Sequence, residues 1–169
     1  MAMFGKKVAA VSAPASPAPQ VAVQAEPQFT SGSAPSEAIA RCVLIPAVST
    51  MIADGDVSEF ELAQISNLCM FSPIYLPLGG EKVQMMVKDI IDEIATHGHP
   101  ETIKRAAGML SPELRETALC YAMRVALADG YIDEGEKNSL RQTGYFMEIE
   151  PAVFDKIFSV VAMMQRPAA

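Results

Sequence analysis

The chain has 169 residues, half of them hydrophobic, with three cysteines and a formal net charge of -7 at pH 7. That length suits one well-buried core and is short for two full domains. The acidity repels phosphate backbones, which argues against nucleic-acid binding and suits cations or basic partner surfaces.

From Met1 to about Pro35 the chain is mostly Ala, Pro, Ser, Val and Gln, with five prolines. Such a segment buries too little apolar surface to offset the entropy of ordering it, so residues 1–35 read as a disordered tail. Lys6, Lys7 and Glu26 are its only charges, a net +1, which leaves -8 on residues 36–169. Lys6 and Lys7 precede an apolar patch too short for a secretory core. The longest apolar stretch, Ile39 to Ala53, is broken by Arg41 and Pro46 and falls short of the roughly 18 residues a membrane crossing needs. The expectation is a cytoplasmic protein without a transmembrane segment, with peripheral membrane association left open.

Beyond Pro35 the pattern is helical. Ser36 caps a first helix to about Ala53, with Ile39, Val43, Ala47 and Ile52 near one face and a kink expected at Pro46. Ser58 opens a second helix to about Phe71, with Leu62, Ile65 and Leu68 inward, and Ser72 to Gly80 is a loop. Glu81 to His97 repeats apolar residues at Val83, Met86, Val87, Ile90, Ile91 and Ile94, and Gly98 ends it. Pro100 to Leu110 is a shorter helix, and Ser111-Pro112 opens one that reaches Asp129. Asp133 to about Thr143 and Pro151 to about Gln165 complete seven helices; Val153, Ile157, Val160, Val161 and Met164 face inward on the last. The predicted class is all-α.

Two stretches repeat at a 75-residue offset: "ADGDVSEFE" from Ala53 and "ADGYIDEGE" from Ala128. The same offset pairs Ala47 with Ala122, Val57 with Ile132, Ile65 with Leu140 and Phe71 with Phe146. Matches at core and turn positions, with free variation between, predict two repeated helix-turn-helix units packed into one compact globule.

The turn chemistry admits two readings. Glu61 lies three residues after Ser58 and Glu136 three after Asp133, the spacing of a capping box. Gly55 and Gly130 suit the left-handed residue that ends a helix, and Val57 and Ile132 plug the turns into the core. Asp54 and Asp129, however, stand at helix C-termini, where the backbone dipole disfavours a carboxylate by a few tenths to about 1 kcal/mol. Either each side chain accepts N–H groups from the next helix's first turn, or a cation sits between the Asp and the following Glu, shared by both hairpins. The ligand set Asp54, Asp56, Glu61, Asp129, Asp133 and Glu136 is all oxygen, which favours Ca2+ or Mg2+ over softer metals. An EF-hand is ruled out, because Glu59 and Glu134 stand where its turn wants Gly, and Ile65 and Leu140 where its bidentate Glu belongs.

The repeated Ala-Asp-Gly with its following Glu, on seven helices in an acidic chain of this size, resembles the tellurite resistance protein TerB family and its wider TerB-like domain. The resemblance covers about residues 36–165. It implies a compact fold of duplicated hairpins, with Asp54, Glu61, Asp129 and Glu136 in an acidic cluster that binds a divalent metal. It also implies a non-enzymatic role in tellurite or general stress resistance alongside protein partners. A metal-free acidic scaffold for protein–protein interaction is the alternative.

Other chemistry is not legible. His97 and His99 lack the Pro-Cys-x-x-Cys of a zinc deaminase, and His97 suits a helix's last turn. "PLGGEK" lacks phosphate-loop spacing, and no nucleophile motif occurs. Cys42, Cys69 and Cys120 read as buried, reduced thiols, and the eleven methionines, Met85-Met86 and Met163-Met164 among them, as core filling.

Overall fold

The computed structural model describes residues 37–53, 59–128 and 130–164, with backbone alone for 59–61. Among these the chain forms seven helices and no strand: α1 (Glu37–Met51), α2 (Glu59–Phe71), α3 (Gly80–His97), α4 (His99–Met109), α5 (Pro112–Ala126), α6 (Glu134–Phe146) and α7 (Pro151–Met164). The expected tail, residues 1–35, lies outside the described residues. Shifting the bounds of α1 and α2 by 75 residues gives those of α5 and α6.

Helix α1 is the hub. It packs most extensively against α5, and also against α4, α3, α2 and α6. Sequence reading gave α1 one inward face; in fact Ala40, Cys42 to Ser49 and Met51 are all buried. A helix surrounded by neighbours needs apolar residues all round and loses the periodicity of a surface helix. Small residues let the partners approach: Ala40 and Ala47 on α1, and Ala118 and Ala122 on α5, are 0 % exposed. Helix α1 also runs unbroken through Pro46, where the missing N–H leaves the Cys42 carbonyl without its helical donor.

The helix ends follow local chemistry. Ser111 Oγ accepts the Leu114 N–H, with Pro112 in the first turn of α5. Gly98, at φ +80°, lets its N–H donate to Ile94 O at 2.8 Å and turns the chain directly into α4. The end of α6 was not foreseen. Ile149 N–H donates to Gly144 O at 2.9 Å while Glu148 takes φ +56°, a Schellman turn with Glu where Gly is usual. The Glu148 carboxylate pairs with Arg115 of α5, which ties the turn to the bundle.

A second core, of Leu119, Met123, Leu140, Phe154 and Val161, joins α5, α6 and α7. Gly144 permits the α6–α7 contact, since a Cβ there would lie 3.0 Å from Phe154 Cδ2. Several inward assignments are corrected. Ile65 and Leu68 are buried but Leu62 is 46 % exposed, because it stands on the outer edge of α2. Val160 and Met164 are exposed because α7 touches the bundle along one side only, and Met163 and Met85 are exposed with them, whereas Met86 fills the core as expected. Cys42 and Cys69 are buried, Cys120 is half-buried, and all three are free thiols.

Candidate metal centre at the acidic turns

The two helix ends that lead into the acidic turns make the same bonds. In α1, Ile52 N–H donates to Val48 O and Ala53 N–H to Thr50 O, at 3.2 and 3.3 Å. In α5, Leu127 N–H donates to Met123 O and Ala128 N–H to Val125 O, both at 3.0 Å. Each pair maps onto the other at the 75-residue offset, so the repeated sequence unwinds its helix in the same way twice.

The second turn is described beyond Asp129. Gly130 has φ +83°, and its N–H reaches Leu127 O at 3.0 Å. This is the left-handed residue expected after the helix, a conformation that glycine adopts without a Cβ clash. Ile132 is half-buried against the second core, as expected of the residue that plugs the turn inward.

Asp133 then caps α6. Its Oδ1 accepts the Glu136 N–H at 2.8 Å, and Glu136 Oε2 accepts the Asp133 N–H at 2.8 Å, a reciprocal capping box. Gly135 belongs to this geometry, since a Cβ there would sit 3.0 Å from Asp133 Oδ1. Each carboxylate uses one oxygen in the box and keeps a second, with its lone pairs, for water or a hard cation.

Of the six residues assigned to a cation from sequence, Asp133 and Glu136 are brought together at one cap. Asp54, Asp56 and Asp129 lie outside the described residues; Glu61 stands in the first turn of α2, with its side chain outside them. Among the described residues no three His, Cys, Asp or Glu groups are gathered closely enough to hold a metal ion.

Two polar clusters escaped the sequence reading. Glu93 on α3 receives Arg41 of α1 at 2.5 Å and Arg105 of α4 at 3.3 Å, one carboxylate joining three helices. The signal was Arg41 itself, the one basic residue in α1, whose charge needs a partner near the core. Ser49 Oγ and His99 Nδ1 share a 2.7 Å hydrogen bond that ties the last turns of α1 to the start of α4. Ser49 is 4 % exposed, so this bond satisfies a polar group inside the bundle. His97 ends α3, in the last turn expected of it.

A sequence model of the tellurite resistance protein TerB family matches residues 36–158, from the start of α1 into α7. The chain belongs to the TerB family. No curated protein and no solved structure matches it. The matched span takes in both acidic turns of this TerB family member, along with the α3–α4 pair between them. No described helix is long and apolar enough to cross a membrane.

Proposed function

We propose that this TerB family member binds one hard divalent cation, Ca2+ or Mg2+, through its duplicated acidic turns and works without catalysis in a cytoplasmic assembly for tellurite or general stress resistance. Asp54, Asp56 and Glu61 supply the first turn's oxygens; Asp129, Asp133 and Glu136 supply the second's. The observation that supports this reading is the matched hydrogen bonding at the ends of α1 and α5, after each of which the sequence continues with Asp-Gly. A carboxylate at a helix C-terminus is electrostatically unfavourable unless a positive charge offsets it. Three free thiols in one chain favour a reducing compartment. The partners are proteins, and the family's name supplies tellurite as the stress to examine.

A second reading, an acidic scaffold without metal, draws on the Asp133–Glu136 capping box, which already gives both carboxylates a structural task. Calorimetric titration of chelator-treated protein with Ca2+, Mg2+, Mn2+ and Zn2+ separates the two. The cation reading expects saturable Ca2+ or Mg2+ uptake that is abolished by Asp54→Asn with Asp129→Asn. No heat at millimolar metal, or uptake unaltered by that double substitution, leaves the scaffold.

A further inference from the structure

An open groove of about 550 Å³ runs between α2 and α3. Ile65, Cys69, Tyr75 and Val83 are buried and form its floor; Leu62, Met70 and Leu76 are 46, 59 and 69 % exposed and form its rim. Among the described residues no charged side chain lines the groove, and none occurs between Leu62 and Gly80, in a chain of which 20 % is charged. Tyr75 already spends its hydroxyl on Ala40 O at 3.0 Å, so the floor is fixed from beneath. Monomeric proteins rarely leave so many large apolar side chains together in water unless something covers them.

We propose that this groove docks one face of a basic amphipathic helix from a partner protein. An uncharged trough takes apolar side chains at i, i+3, i+4 and i+7, and its size falls in the range of about 300–1,000 Å³ that ligand pockets show. Methionine at the rim adapts to side chains of differing shape. The surroundings set the charge of the helix's outer face. On the outer side of α3 next to the groove, the exposed Glu81 and Asp92 outnumber Lys88, and Lys82 is held by Glu37 at 2.7 Å. With -7 on the whole chain, lysines and arginines flanking the apolar stripe are attracted, while anionic lipid headgroups are repelled. This surface works with or without a cation at the acidic turns.

The test uses the full chain in chelator, with a synthetic Leu/Lys amphipathic helix of about five turns as probe. The comparison peptides are the same pattern with Glu for Lys, and a scrambled Leu/Lys sequence. Saturable binding is expected, with amide shifts at Ser66, Met70, Gly79, Gly80 and Gln84 and at least tenfold weaker binding of both comparison peptides. Met70→Glu with Leu76→Glu adds negative charge yet weakens binding at least tenfold if the apolar seat carries it, and strengthens it if the attraction is only electrostatic. Gly80→Phe, whose Cβ meets nothing within 4 Å, fills the groove and weakens binding independently. Shifts at another surface, equal binding of the Glu peptide, or shifts at these amides with phosphatidylcholine vesicles but not with the peptide overturn the proposal.

Discussion

Replacing Asp133 with Ala removes the carboxylate that accepts the Glu136 N–H at 2.8 Å and leaves that amide at the exposed start of α6. Loss of an Asp cap costs about 1 kcal/mol, and up to about 2 when the bond is charge-assisted and lies at the positive end of the helix dipole. The Asp133 N–H survives the substitution, so Glu136 Oε2 keeps its half of the box and the loss falls short of the full motif. For a folded region of about 130 residues, an unfolding entropy near 2.1 cal/mol/K per residue turns about 1–1.5 kcal/mol into a melting shift of roughly 4–6 °C. The assay is thermal unfolding of wild type, Asp133→Ala, Glu136→Ala and the double variant, each in chelator and again in excess Ca2+. The cap accounts for the shift in chelator, and the two single losses should exceed the double one when summed, because both report on one box. Any additional loss in Ca2+ belongs to the cation. A shift below about 1 °C in chelator refutes the capping energetics.

Two further outcomes are expected. Burial pushes the Cys69 thiol up to about 12 and raises Cys42, Cys120 and Tyr75 above their ordinary ranges. Because Cys69 holds its proton longer when folded, its contribution is intact below the ordinary thiol range near pH 9 and is lost as pH rises toward 12, by up to about 1.4 kcal/mol per pH unit, and the raised Cys42, Cys120 and Tyr75 act in the same direction. Urea unfolding between pH 8 and 11 should show the fall beginning near pH 9, and Cys69→Ala should flatten it; a flat wild-type profile contradicts the burial. Glu93→Gln leaves Arg41 and Arg105 without their shared carboxylate and should cost about 1–3 kcal/mol by urea unfolding, with the Arg41→Met, Glu93→Gln pair recovering part of that loss.

The helices and their starts were legible because their signals are local. Ser111-Pro112 and Asp133 with Glu136 announce helix openings, and Gly98 and Gly130 announce endings. Helix α6 runs past the expected Thr143 to Phe146 because its stop is a Schellman turn built on Glu148, a residue with no stop signal of its own. Burial was harder to read. Nothing in the apolar run from Cys42 to Val48 tells a one-sided helix from one enclosed by neighbours, since that difference lies in α3, α4 and α5 packing around it. Leu62 and Leu68 have the same side chain six residues apart, yet one rims a groove and the other is core, which the packing of α5, α1 and α3 around α2 decides. At the candidate centre, spacing revealed the Asp133–Glu136 capping box, while any approach of two turns 75 residues apart would depend on tertiary geometry that no local pattern encodes.

The most direct measurement of the paired-turn claim is terbium luminescence. Tb3+ substitutes for Ca2+ among carboxylates, and the chain has no tryptophan, so tyrosine is its sensitiser. Tyr131, 69 % exposed, stands two residues after Asp129. Excitation in the tyrosine band should give saturable Tb3+ emission that Ca2+ displaces, that falls sharply in Tyr131→Phe, and that disappears when either Asp54 or Asp129 becomes Asn. Emission that survives Asp54→Asn unchanged contradicts a shared ion, and no sensitised emission at all contradicts a cation at these turns.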